Sequence, residues 1–66
     1  MLNAETMKKV ITLAEGLDIF KHPEHIQAHN TLVDSWYEHE CGEMTDDEYC
    51  YVVDNVYADA KTNGWI

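Results

Sequence analysis

The chain has 66 residues, 13 of them acidic and only four lysine or arginine, so its net charge is −9. This length allows one domain with one small core, and a hydrophobic fraction of 45% argues against a disordered chain. Without a membrane-length apolar run or a secretory leader, we expect a cytoplasmic protein, in the host cytoplasm if its source is viral. Because thiols are reduced there, Cys41 and Cys50 are expected to be free.

The first predicted helix covers about residues 3–16. Asn3 is suited to cap its start, and Gly16 either ends the helix or bends it. The apolar side has helical spacing and consists of Met7, Val10, Ile11, Ala14 and, at its end, Leu17. After this helix, Ile19 and Phe20 are expected to pack as an irregular apolar turn.

The second predicted helix covers about residues 23–41. Pro23 suits the first helical position, and Gly42 provides the stop. The face predicted to meet the core consists of Ile26, His29, Leu32, Val33, Trp36 and Tyr37. Ser35 is predicted to lie on the outer face of this helix.

The third predicted helix covers about residues 46–62. Thr45 and Glu48 form a capping-box pattern at its start, and Gly64 fits a left-handed position at its end, with Trp65 folding back. Its apolar face consists of Tyr49, Val52, Val53, Val56, Tyr57 and Ala60. Together the three segments predict an all-α fold, a small three-helix bundle that forms a single acidic domain over residues 1–66. The alternative is a helical hairpin completed by a second copy, so a homodimer stays open.

The negative charge is concentrated in one part of the chain. Between Lys21 and Lys61 there are ten acids and no lysine or arginine. Seven of these acids surround the connection between the second and third helices, and we call them the acidic corner: Asp34, Glu38, Glu40, Glu43, Asp46, Asp47 and Glu48. Carboxylates at i,i+4 on a helix lie roughly 5–6 Å apart, comparable with successive phosphates of a nucleic acid.

The acidic corner predicts a protein-binding surface. It would dock on a basic, nucleic-acid-handling protein, either as an imitation of a nucleic-acid backbone or by ordinary charge complementarity. Trp36 and Tyr51 are the predicted aromatic anchors. The alternative is a small self-associating assembly protein whose acids serve only solubility.

In size and charge the chain resembles the short acidic proteins of bacteriophages, many of which block a host enzyme. This resemblance implies a host enzyme as the partner and its inhibition or regulation as the function, and the acidic corner adds that the enzyme handles nucleic acid. Direct binding to nucleic acid or to a membrane is not expected.

Three histidines raise a second alternative, a metal-binding protein. His22, His25 and His29 follow an H-x2-H-x3-H pattern, and the last two share a helix face at the spacing that lets two imidazoles reach one Zn²⁺. A structural zinc needs about four ligands, so we predict no metal and no other cofactor. The sequence also lacks a glycine-rich phosphate loop and a serine-centred elbow, and we therefore predict no enzymatic activity.

Overall fold

Three α-helices form in the computed structural model, which describes residues 2–66. They are α1 (Ala4–Gly16), α2 (Ile26–Glu40) and α3 (Asp46–Thr62), and one 3-10 turn (Pro23–His25) leads into α2. The predicted all-α bundle of three helices is confirmed. None of these helices combines the length and the apolar character that a bilayer crossing requires.

Side-chain caps define where α1 and α3 begin. The Asn3 side chain accepts a hydrogen bond from the Thr6 N–H at 2.7 Å. At the start of α3, the Thr45 hydroxyl oxygen accepts from the Glu48 N–H and the Glu48 carboxylate accepts from the Thr45 N–H. These bonds satisfy N–H groups that have no partner within the helix. Both predicted caps are confirmed.

Two glycines reverse the chain after α2 and α3. Gly42 and Gly64 have φ values of 81° and 73°, in the region that is strained for residues with a β-carbon. Beyond them, the N–H groups of Glu43 and Trp65 each donate to the carbonyl five residues earlier, at 2.9 and 2.8 Å. This is the Schellman pattern of helix closure. It turns α2 directly into the loop before α3 and folds Trp65 back, as predicted.

The third helix is the centre of the bundle. Both α1 and α2 pack on α3, but no Cα atom of α1 lies within 8 Å of a Cα atom of α2 in residues 2–66. The first helix runs parallel to α3 and is joined to it by a Thr6–Cys50 hydrogen bond (3.2 Å) and a Lys9–Asp54 ion pair (2.7 Å). The buried apolar residues are Leu13, Tyr49, Val53, Val56 and Ala60.

The side of α2 that meets α3 differs from the prediction. Ser35, expected on the outer face, is only 6% exposed, and Ala28 and Leu32 beside it pack against the core. Three members of the predicted core face are instead 38–65% exposed: Ile26, Val33 and Tyr37. Trp36, also predicted as an exposed anchor, is 41% exposed. The reason is that small and apolar side chains cover a wide arc of this helix. The small side chains of Ala28 and Ser35 turn towards α3, which leaves the large ones outside.

The connection from α1 to α2 also departs from the prediction. Phe20 is 93% exposed and does not pack, although Ile19 is half-buried. One carboxylate oxygen of Asp18 accepts the backbone N–H groups of Phe20 and Lys21 at 3.0 and 3.1 Å. Because these polar bonds fix the turn, it does not need an apolar contact from Phe20.

Candidate functional site

The tight reversal through residues 41–45 places the last turn of α2 beside the first turn of α3. Across this junction, His39 Nε2 donates to Asp46 Oδ1 at 2.5 Å, and this hydrogen bond lowers the pKa of the Asp46 carboxyl. The His39 ring also packs against the rings of Trp36 and Tyr49, with centroids 5.7 and 5.2 Å away. Its Nδ1 atom is buried and has no hydrogen-bonding partner among the described residues.

The His39–Asp46 pair was not predicted from the sequence. The signal that the sequence offered was a histidine in the last turn of one predicted helix and an aspartate in the first turn of the next, with a short loop between them. Two members of the acidic corner therefore have structural roles: Asp46 holds His39, and Glu48 caps α3.

The other five carboxylates of the acidic corner are exposed: Asp34, Glu38, Glu40, Glu43 and Asp47. None of them has an ion-pair partner in the part of the chain that the structure describes. The lysines have other contacts or lie elsewhere in the molecule. Lys9 is bound to Asp54, and Lys61 lies over the Tyr57 ring at 5.2 Å. Lys8 is exposed on α1, and Lys21 is in the α1–α2 loop at the opposite end of the bundle.

The five exposed carboxylates lie on several sides of the connection between α2 and α3 and do not form a single row. Because each residue turns a helix by 100°, Glu38 and Glu40 lie on opposite sides of α2, with Asp34 on the side of Glu38. On α3, Asp47 and Tyr51 are one turn apart on the face opposite the buried residues.

The two predicted anchors lie on different faces. Tyr51 is 69% exposed on the outer face of α3. Trp36 instead lines an apolar groove on the other side of the bundle. A single small contact therefore does not use both rings.

The groove lies between α1 and α2, and we call it the α1–α2 groove. It has a volume of about 460 Å³, and its walls include Met7, Ala14, Leu17, Val33, Trp36 and Tyr37. No lysine, arginine, aspartate or glutamate lines it among the described residues. It exists because α1 and α2 each pack on α3 and leave the space between them open.

The structure brings together two of the three candidate metal ligands. His22 and His25 stack with ring centroids 4.9 Å apart, and Glu24 completes a set of potential ligand atoms, whereas His29 is not part of it. His25 is buried, packs on the Trp65 ring at 4.3 Å, and accepts the Asp18 N–H at its Nδ1 at 3.1 Å.

That hydrogen bond bears on metal binding. Since the Nδ1 lone pair of His25 is occupied, a metal would have to use Nε2, and the ring proton would then have to sit at Nδ1. This tautomer breaks the bond to Asp18. The geometry thus fits a structural link between the α1–α2 loop and the end of α3 better than a four-ligand metal site.

Both cysteines are free thiols, as expected. Cys41 is exposed, and Cys50 is half-buried with its sulfur accepting the Thr6 hydroxyl. The described part of the chain thus presents two distinctive surfaces, the acidic corner and the α1–α2 groove. No family model, curated protein or solved structure matches the chain.

Proposed function

We propose that the protein is a non-enzymatic binding module that docks on a basic protein through the acidic corner and inhibits or regulates it. The observation that carries this proposal is the set of five exposed carboxylates with no ion-pair partner in residues 2–66. Like charges concentrated in one part of a small domain repel one another and weaken the compact state. A basic surface placed against them relieves the repulsion and speeds association.

A nucleic-acid-handling protein is the class of partner with the matching surface, because its binding groove is built from lysine and arginine to hold phosphates. Carboxylates on several sides of the acidic corner support docking by charge complementarity more than imitation of a single row of phosphates. Tyr51, one turn from Asp47, is an exposed aromatic residue on the same face of α3 as that acid.

The test compares two variants with the same change in charge. The first neutralises exposed acids of the acidic corner and leaves Asp46 and Glu48 intact, because those two stabilise the fold: Glu38→Gln, Glu40→Gln and Glu43→Gln. The second neutralises exposed acids elsewhere: Glu15→Gln, Glu24→Gln and Asp59→Asn. Each tagged protein is used to capture binding proteins from the DNA-binding fraction of a bacterial lysate, at low and at moderate salt, with and without added duplex DNA.

We expect the wild type and the second variant to retain the same protein at low salt, and the first variant to lose it. Duplex DNA should displace that protein, because both compete for one basic groove. Retention by the first variant would refute the acidic corner as the docking surface. Loss from both variants would mean that net charge alone matters.

A further inference from the structure

A single copy of the chain exposes more surface, and has a larger radius of gyration, than a compact protein of the same mass. It exposes 4667 Å² and has a radius of gyration of 11.5 Å. A compact monomer of 7.6 kDa exposes about 4,300 Å², and 66 residues typically give a radius of about 10.8 Å. The open space between α1 and α2 is where the described structure departs from a closed bundle.

The side chains around this space belong to apolar arcs that continue beyond the contact with α3. On α2 the arc runs from Leu32 through Trp36 and Val33 to Tyr37, which is 65% exposed. On α1 it runs from Leu13 to Ile11, which is 54% exposed. Apolar arcs this wide occur on helices that pack against two neighbours, and α3 supplies only one.

Charge is absent from this region although the chain carries −9 overall. Of the acidic corner, only Glu40 lies on the groove side of α2, one turn after Trp36. Two copies of so acidic a chain can approach closely only through a face that lacks charge. The walls of the α1–α2 groove are such a face.

We infer that the α1–α2 groove binds a second copy of this chain, in a two-fold symmetric dimer in which α2 of each copy covers the groove of the other. In such an interface both copies contribute the same surface: α2 of one copy lies in the groove of the other, and its own groove receives α2 of the partner. Tyr37 and Val33 of one copy then contact the α1–α2 groove of its partner, and Trp36 becomes buried.

Closing two copies into one compact particle would bury enough area for a stable dimer. Two copies closed into one compact particle of twice the mass would expose about 7,100 Å². Relative to two separate copies at 4667 Å² each, this buries about 2,200 Å² in total. Stable homodimers bury about 2,000 Å² or more. Apart from Glu40, the acidic corner stays outside this interface and remains free for a different partner.

The experiment uses two tyrosines of nearly equal exposure on different faces. Tyr37→Glu adds a charge at the rim of the α1–α2 groove, and Tyr51→Glu adds the same charge on the outer face of α3, where the wild-type ring is 69% exposed. The mass of each protein is measured by sedimentation equilibrium over a wide concentration range. Far-UV circular dichroism establishes that both variants keep their helices.

We expect the wild type and Tyr51→Glu to sediment at twice 7.6 kDa, and Tyr37→Glu to raise the dimer dissociation constant at least tenfold. Salt should tighten the wild-type dimer, because it screens the repulsion between two acidic copies; docking of a basic partner has the opposite salt dependence. The emission of Trp36 in a Trp65→Phe background should shift to shorter wavelength as the dimer forms.

Three results would overturn the inference. The first is a wild type that remains at 7.6 kDa at millimolar concentration. The second is a dimer that Tyr51→Glu breaks and Tyr37→Glu does not, because the interface would then lie on α3. The third is a monomer whose groove takes up a basic amphipathic peptide, which would identify a helix of another protein as the occupant.

Discussion

Replacing Leu13 with alanine tests whether α1 is held to α3 as the structure describes. Leu13 has no exposed surface and packs with Val56 and Ala60. The substitution removes three carbon atoms from the core, worth about 2.4 kcal/mol at roughly 0.8 kcal/mol each. A closed cavity would add to this loss, but Leu13 also borders the α1–α2 groove, so the new space opens into the groove. We therefore expect a loss of about 2.5–3 kcal/mol.

That loss is a large part of the total stability, which is about 3–10 kcal/mol for 66 residues. The melting temperature should fall by about 10–20 °C. Urea unfolding followed by tryptophan fluorescence measures the change, since Trp65 packs against the same core cluster. The control is Ile11→Ala on the same helix, where the side chain is already largely exposed. At low protein concentration it should cost less than about 1 kcal/mol. Equal losses in the two variants would refute the described orientation of α1.

Three further predictions concern the caps and turns. Thr45→Ala removes the hydroxyl that receives the Glu48 N–H and should cost about 1 kcal/mol in urea unfolding, whereas Thr45→Ser should be nearly neutral; equal effects would contradict the cap. Asp18 has a lowered pKa, first because the Lys21 backbone N–H donates to its carboxylate, so its stabilising contribution is present at neutral pH and is lost as the pH falls below about 4. Asp18→Asn keeps an acceptor that does not titrate, and unfolding measured from pH 5 to pH 2 should depend less steeply on pH; an unchanged slope would contradict this assignment. At Gly16 a β-carbon would overlap the Cγ2 methyl of Ile66, so Gly16→Ala should be less favourable in the wild type than in an Ile66→Ala background, where nothing opposes the alanine's helix preference of about 1 kcal/mol. A thermal melt of the four proteins decides this, and additive effects would contradict the contact.

The sequence predicted the helix ends well because they depend on local bonds. Asn3, Thr45, Gly42 and Gly64 act on backbone groups within five residues, and the residue types that can do so are few. Such signals require no knowledge of which helix packs on which. The Asp18 turn is also local, but the apolar Ile19 and Phe20 beside it suggested a different explanation.

The orientation of α2 could not be predicted in the same way. A wide apolar arc allows several rotations about the helix axis, and only the contact with α3 selects the one that buries Ser35. The His39–Asp46 pair likewise depends on how the loop brings two helices together. The same rotation places Trp36 and Tyr37 at the α1–α2 groove. The surface available to a partner therefore differs from the predicted one.

The central position of α3 also determines when the chain can fold during its synthesis. Residues 4–16 and 26–40 are made first, yet both pack on residues 46–62, and none of their Cα atoms come within 8 Å of each other. At about 5–20 residues per second, their apolar sides remain unpaired for seconds until α3 leaves the ribosome. A nascent chain that pauses before residue 46 therefore displays two uncovered amphipathic helices, the kind of surface that chaperones recognise. The order of the helices makes completion of α3 the event that commits the molecule to its fold.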